Sequence, residues 1–318
     1  MDRDVLTETL TDFGMSGVFY AVSELGAPWG IEIPPLPGTI VFHLVTDGEL
    51  VLEVDGETTR MTSGDIALVP HGTGHAILDA PGSEATPLFD LPRDEVGERY
   101  ERLRIPGPGP RAEVVCGAVS FTGLGVARLI RSLPAVLPAR RDEDTAWMRA
   151  AFEVIGAESQ HPRPGSDVVT ARLADILVVQ VVRSWLESGE HDRGWVAGLR
   201  DPLVGSALAS FHAEPGAPWT LASLAAEAGM SRSAFAARFR DLLGEPPMSY
   251  ATAWRMDVAA RLVREDDLPL ARVAERVGYR SEAAFNRAFR RAHGVTPGAF
   301  ARRGPAFLDH VTGPAGAR

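Results

Sequence analysis

Two short phrases carry arginines at helical spacing: "GMSRSAFAARFR", Gly229 to Arg240, and "GYRSEAAFNRAFRR", Gly278 to Arg291. In each, a phenylalanine pair four residues apart (Phe235/Phe239, Phe285/Phe289) marks one helix face as buried, leaving polar and cationic residues on the other. On the second phrase that outer face presents Glu282, Ala283, Asn286, Arg287 and Arg290. Such side chains read base edges: arginine forks onto guanine, asparagine onto adenine, and glutamate accepts from the cytosine amino group. A second set of chemically able residues is His43, His75 and Cys116, the single cysteine. Nitrogen and sulfur donors in this combination suit Zn²⁺. The same three also suit an ordinary interior of hydrogen-bonded imidazoles and a small buried thiol.

The composition narrows the partners. With 318 residues, 45% hydrophobic and 23% charged, the chain is long enough for two or three globular modules. One cysteine excludes an intramolecular disulfide and fits a reducing compartment. The longest apolar run, "ADILVVQVV", is interrupted by Asp175 and Gln180 and is too short to span a bilayer. The opening "MDRDVLTETL" lacks a basic region and an apolar core of the secretory type, so a cytoplasmic location is expected. The net charge of -10 is unevenly spread: Arg200 to Gly304 holds 15 arginines against 11 acids, whereas the preceding residues hold 16 against 30. That asymmetry predicts an acidic front and a rear directed to nucleic acid. Every basic residue is arginine, which suits phosphate recognition but also follows from genome composition alone.

The rear phrases need helices to position them. Thr220 is a candidate cap, Leu221, Leu224, Ala225 and Ala228 form an apolar stripe, Gly229 stops that helix, and Ser231 caps the next. Leu270, Val273, Ala274 and Val277 followed by Gly278 repeat the arrangement. Gly244 and Gly294 are 50 apart but Gly229 and Gly278 only 49, so the second turn is one residue longer. Helix, glycine turn, amphipathic helix is helix-turn-helix grammar. The intervening "MSYATAWRMDVAARLVRE" is helical, about 17 residues and roughly 25 Å; with its flanking helices it can bridge major-groove entries about 34 Å apart.

About 100 rear residues, and "GYRSEAAFNRAFRRAHGVTPGAF" nearly throughout, resemble the DNA-binding domain of AraC/XylS-type transcription regulators, which pairs two helix-turn-helix units through a long helix. The resemblance implies base-edge reading at Glu282, Ala283, Asn286 and Arg287, beside Ser281 and Arg290. In the first unit the matching positions are Ser233, Ala236 and Ala237, with Arg232 and Arg240 alongside. Two alanines there depart from polar readers, so the first helix is expected to grip phosphate and the second to discriminate.

The front reads as strands: "TIVFHLV", "ELVLEVDG", "IALVP", "HAIL" and "AEVVCGAVSF". Asp47-Gly48 is a two-residue hairpin signal. In that register His43 faces Leu52 and lies inward, while Glu49 points outward. "GDIALVPHGTGHAIL" resembles the second cupin motif, whose last histidine, here His75, is a metal ligand in that family. The first cupin motif is depleted: with Gly48 as its glycine, the glutamate position is Val41 and the histidine positions fall in "PLP". His43, His75 and Cys116 remain as a candidate zinc site, and the thiol as a candidate oxidant sensor. His71 is expected on the turn, facing solvent.

The expected architecture is α+β and multidomain. A cupin-like (cupin-6 type) β-barrel fills 1–121, a helical linker or dimerisation segment 122–194, an AraC-type domain with two helix-turn-helix units 195–304, and a flexible tail 305–318. The function this resemblance implies is a promoter-binding, homodimeric regulator. It would be controlled by a small-molecule, metal or redox signal, contact RNA polymerase if an activator, and involve no membrane. The alternative is a metal-dependent cupin enzyme, an oxygenase or isomerase, with a helical appendage.

Overall fold

The run "TIVFHLV" shows no alternation of apolar and polar residues, and it becomes an interior strand buried on both faces. In the computed structural model, which describes residues 14–97, 100–122, 126–139, 146–160, 163–188, 193–265 and 268–302, this is β3 (Thr39–Asp47), buried from Thr39 to Val45. It lies within a seven-stranded sheet ordered β12-β6-β3-β11-β1-β10-β9. The partners are β12 (Leu137–Ala139), β6 (Ile66–Val69), β11 (Arg111–Thr122), β1 (Gly14–Gly26), β10 (Tyr100–Ile105) and β9 (Arg93–Gly97). A second sheet runs β5-β4-β7-β2-β8, from β5 (Glu57–Thr62), β4 (Glu49–Val54), β7 (His75–Leu78), β2 (Gly30–Ile33) and β8 (Thr86–Pro87).

The expected hairpin at Asp47-Gly48 does not form. β3 pairs with β11 and β6, whereas β4 pairs with β5 and β7, so Gly48 is a corner between sheets. A Cβ there would fall 2.2 Å from the Arg111 carbonyl oxygen, and the φ of 76° adds to the demand for glycine. The two-residue hairpin sits instead at Asp55-Gly56, both at positive φ, where Val54 faces Glu57. The inward placement of His43 survives this correction, since it is 1% exposed, but its strand neighbours are Cys116 and Ala67 and not Leu52.

The anticipated helical segment 122–194 is not one body. The chain divides into two units: Gly14–Phe121 with Leu133–Ser188, and Thr122–Ser132 with Gly189–Leu308. In the first, α2 (Ala146–Gln160) packs with α3 (Ser166–Glu187), and the Tyr20 hydroxyl of β1 donates to Asp175 of α3 at 2.6 Å. That bond gives a partner to a carboxylate buried on the inner side of the helix. The other unit takes α1 (Val126–Ser132) and the rear helices. These are α4 (Trp195–Arg200), α5 (Pro202–Ala213), α6 (Leu221–Glu227), α7 (Arg232–Leu243), α8 (Pro247–Glu265), α9 (Leu270–Arg276), α10 (Glu282–His293) and α11 (Pro297–Arg302). No helix among the described residues is long and apolar enough to cross a membrane. The tail expected over 305–318 lies outside the described residues.

Helix ends repeat between the two halves of this unit. Met230 N–H bonds to the Ala225 carbonyl and Gly229 N–H to Ala226; Tyr279 N–H bonds to Ala274 and Gly278 N–H to Glu275. This double cap requires a left-handed residue, supplied by Gly229 (φ 62°) and Gly278 (φ 82°). Ser231 caps α7 and Ser281 caps α10, so the second turn is one residue longer, as its spacing predicts. Pro247 opens α8 at a position where a missing N–H costs nothing.

The two glycines differ in surroundings. A Cβ at Gly229 meets nothing within 4 Å, whereas at Gly278 it falls 2.7 Å from the Gly216 carbonyl oxygen. Gly229→Ala should therefore cost about 1 kcal/mol of backbone strain. Gly278→Ala should cost roughly 3 kcal/mol, because displacement of the α5–α6 loop is added. Denaturant midpoints of the rear unit would check the order; equal losses would contradict it.

Candidate nucleic-acid interface and the buried barrel cluster

On α7, Phe235 and Phe239 are buried; on α10, Phe285, Ala288 and Phe289 are. Each pair makes a ring contact, at 5.6 Å and 5.7 Å between centroids. With those faces fixed inward, Arg232, Ser233, Ala237 and Arg240 of α7 and Glu282, Ala283, Arg287 and Arg290 of α10 are exposed, while Ala236 is half-buried. Among the described residues no ion pair engages Arg232, Arg240, Arg287 or Arg290. Their guanidinium groups are open to an anionic partner.

Two expected positions are differently placed. Ser281 is exposed, but its hydroxyl accepts from Ala284 N–H and serves the cap of α10. Asn286 is half-buried, and its Oδ1 is enclosed without a hydrogen-bond partner. Bidentate reading of adenine needs both ends of the amide, so Asn286 would have to turn before making it. Arg287 needs no such change.

A residue the sequence reading missed holds α7 in place. Asp201 caps α5, its Oδ1 accepting from Leu203 and Val204 N–H at 3.1 and 2.9 Å. Its Oδ2 accepts from Arg238 Nε and Nη2 at 2.9 and 2.5 Å. Burial works to raise the Asp201 carboxyl, but the Arg238 bonds and two backbone donors outweigh it and hold the group below its ordinary value. The repeat gives the clue in hindsight: the position matching Arg238 is Ala288, a core residue of the second unit, whereas Arg238 stays exposed and reaches the buried Asp201 with its guanidinium.

In the barrel, β3 and β11 place His43 beside Cys116, and His75 opens β7 in the facing sheet. His43 Nδ1 lies 3.1 Å from Cys116 Sγ, and His43 Nε2 lies 2.7 Å from His75 Nε2. His75 Nδ1 lies 2.6 Å from the Thr73 carbonyl. Burial pushes both imidazoles below their ordinary range, with His75 adding to the effect on His43. In the neutral state one proton pattern satisfies every contact. Thr73 only accepts, so His75 donates through Nδ1 and accepts at Nε2; His43 then donates from Nε2, and the Cys116 S–H donates to His43 Nδ1.

The three expected residues thus meet, but as a hydrogen-bonded chain and not as donors converging on one point. Cys116 and His75 engage opposite nitrogens of His43, and 2.7 Å between imidazole nitrogens leaves no room for an intervening metal at about 2.0 Å from each. Among the described residues no group of three or more His, Cys, Asp or Glu side chains could hold a metal ion. Burial also pushes the Cys116 thiol up to about 12, the reverse of the activated thiolate an oxidant sensor needs. His71 is exposed as expected, yet its Nε2–H donates to the Leu133 carbonyl at 3.1 Å.

A cupin family model matches residues 4–187, and a helix-turn-helix domain model matches residues 224–303. An AraC-like transcription regulator of Streptomyces antibioticus is 34% identical over 304 residues, spanning 93% of this chain and 96% of that protein. One from Streptomyces lividans is 34% identical over 306 residues, spanning 93% and 96%. Among solved structures, the DNA-binding domain of AdpA in complex with a target DNA is 36% identical, covers 32% of this chain and 90% of that chain, and has a TM-score of 0.31.

The neutral chain predicts an acid response. Above about pH 6.5 the two histidines are neutral whether folded or unfolded and add no pH dependence. Below it the unfolded chain takes up protons that the barrel refuses, so stability falls toward the lowered folded pKa values. A barrel denaturation midpoint that stays flat from pH 7 to pH 5 would contradict this. Cys116 should react with a disulfide reagent at pH 8 about 100-fold more slowly in the native protein than in the unfolded chain.

Proposed function

The chain belongs to the AraC-type family of DNA-binding transcription regulators, carries a cupin domain in front and is not an enzyme, and from that premise we propose how it engages its promoter. The observation that carries the proposal is the pair of equivalently capped helices, α7 and α10, each seated by a buried phenylalanine pair with unpaired arginines outward. Helix α10 discriminates: Arg287 forks onto a guanine and Glu282 selects against its neighbours. Helix α7 grips: Arg232 and Arg240 take phosphates, and Ala236 and Ala237 offer only methyl contact.

The regulator works in the cytoplasm as a homodimer. Val154 of α2 and Val168, Val169 and Ile176 of α3 are exposed large apolar residues on one helical pair; Val168 is 60% and Ile176 50% exposed. A second copy would cover this face and double the footprint on DNA. A small-molecule, metal or redox signal reaching the barrel would shift the population between dimer geometries, and an activating form would contact RNA polymerase. Zinc at His43, His75 and Cys116 requires His43 to surrender its bonds and turn. Stoichiometric zinc in the purified protein would therefore replace the neutral chain as the resting state.

Selection of bound sequences from random DNA tests the whole reading, and no enrichment at any salt concentration would overturn it. On the selected site, Arg287→Ala should cost about 1–3 kcal/mol and relax one base position. Arg240→Ala should weaken all sequences alike and reduce the slope of log affinity against log salt by about 1. Ile176→Glu should give a monomer by light scattering; an unchanged dimer would place the seam elsewhere.

A further inference from the structure

Helix α1 lies between barrel strands β11 and β12 in sequence but belongs to the rear unit. It is seated there by Arg128, 8% exposed. The guanidinium carbon stands 4.3 Å from the Tyr250 ring centroid and 5.9 Å from that of Trp254. Nη1 pairs with Glu245 at 3.2 Å and Nε with Asp257 at 3.5 Å. Tyr250 packs edge-on against Phe239 of α7 at 5.5 Å. Its hydroxyl accepts from Trp195 Nε1 at 2.9 Å and donates to His212 Nε2 at 2.8 Å. His212 stacks on Trp254 at 3.7 Å. Burial, with the Arg128 charge added, brings His212 down to about 3, so it stays an acceptor.

The second unit repeats the ring and the covering cation of this seat, but draws the cation from elsewhere. Phe300, 50 residues after Tyr250, packs edge-on against Phe289 of α10 at 5.4 Å. An arginine again covers the outer ring, at 4.1 Å, but it is Arg264 of α8, from the rear domain itself. The position 50 residues before Arg264 is Glu214. The first unit therefore lacks its own covering cation and takes Arg128 from a segment flanked by barrel strands.

That flanking chain is pinned to the turn that ends at His75. Leu133, directly after α1, accepts from His71. β12 then pairs with β6, Leu137 facing Leu68 and Ala139 facing Ile66. His71, Gly72 and Thr73 lie between β6 and β7, and His75 begins the neutral chain to His43 and Cys116.

We propose that α1 completes the first helix-turn-helix unit on behalf of the barrel, with Arg128 as the positioning residue for α7, so that the barrel governs the first unit and leaves the second self-supporting. When α1 withdraws, Glu245 and Asp257 lose their cation, the outer face of Tyr250 opens, and the support behind Phe239 weakens. Helix α10 keeps Arg264 and holds its register. The signal then changes how many major-groove contacts the protein makes and not whether it binds at all. The functional consequence rests on the regulator reading; the structural claim does not.

Hydrogen exchange on the full chain separates the two. Arg128→Met should raise exchange in α7 about tenfold or more and leave α10 unchanged, a size within the usual range of coupling. Arg264→Met should do the reverse. Arg128→Lys should recover part of the protection and Glu245→Gln should lose part of it, which keeps the test open if Arg128→Met folds poorly. His71→Ala should loosen α1 and α7 together. Equal loosening of both units by Arg128→Met and Glu245→Gln, or no effect in α7, overturns the role of Arg128; an unchanged α1 in His71→Ala overturns the barrel's part. On a selected DNA site, Arg128→Met should lose protection over the first unit's half alone. Absence of any selective DNA binding by the unaltered protein would sink the regulator reading and leave the exchange result to stand or fall by itself.

Discussion

Recognition helices of twelve residues are too short to hold their shape in water unaided, and α10 adds Arg287, Arg290 and Arg291 to that difficulty. What holds each one is the burial of a phenylalanine pair against a third ring, Tyr250 or Phe300, with a guanidinium over that ring. The arrangement fixes helix rotation as well as stability. Were Phe285 and Phe289 to turn by one residue, Arg287 would move off the outer face and Asn286 would replace it. The caps, the glycine turns and Pro247 set where each helix begins and ends; the ring stack sets which way it faces, and only the facing matters to DNA.

The barrel solves a different problem. His43, His75 and Cys116 place polar side chains between the two sheets of its interior, and an unpaired one would cost about 1–3 kcal/mol. The chain from Cys116 through His43 and His75 to the Thr73 carbonyl leaves none unpaired and joins one sheet to the other. Its order depends on both imidazoles staying neutral. A proton added to His75 Nε2 would set a donor against the His43 Nε2–H, and loss of the Cys116 hydrogen would leave Sγ and His43 Nδ1 as two acceptors face to face. Such a chain is stable in one state and intolerant of any other.

Local signals in the sequence were sufficient for the rear unit because helix-turn-helix grammar is local. Stripe, stop glycine and cap lie within a dozen residues, and the repeat supplied a second reading of each. The front was legible in its strands but not in their pairing. Asp47-Gly48 and Asp55-Gly56 are the same dipeptide; only the approach of Arg111 to Gly48, from a strand far along the chain, makes the first a corner. Asp201 with Arg238, and Arg128 with Tyr250, were invisible for the same reason, since neither pair is close in sequence. The inward convergence of His43, His75 and Cys116 was legible in the strands, but residue type alone left zinc ligands and hydrogen-bonded imidazoles as equal readings. Which ring nitrogen faces which partner is set by side-chain rotation, which strand alternation does not encode.

The inequality of the two units is the feature that joins these observations. Both ring stacks need a cation, because Tyr250 and Phe300 each leave one face uncovered by rings. A protein built to bind DNA constitutively gains most by drawing both cations from the same domain, as Arg264 is drawn. Here the first is carried on a helix whose ends are continuous with barrel strands, and the rear domain has Glu214 where a self-sufficient repeat would have arginine. The same unit has the alanine-faced helix, with phosphate-gripping arginines beside it, whereas the self-supported unit has the base-reading face. Placing the dependence there leaves register with α10 and lets the adjustable unit alter strength. The acidic balance of the first 199 residues acts in the same direction. It gives the barrel no affinity for phosphate of its own, so its influence on DNA has to pass through the protein chain.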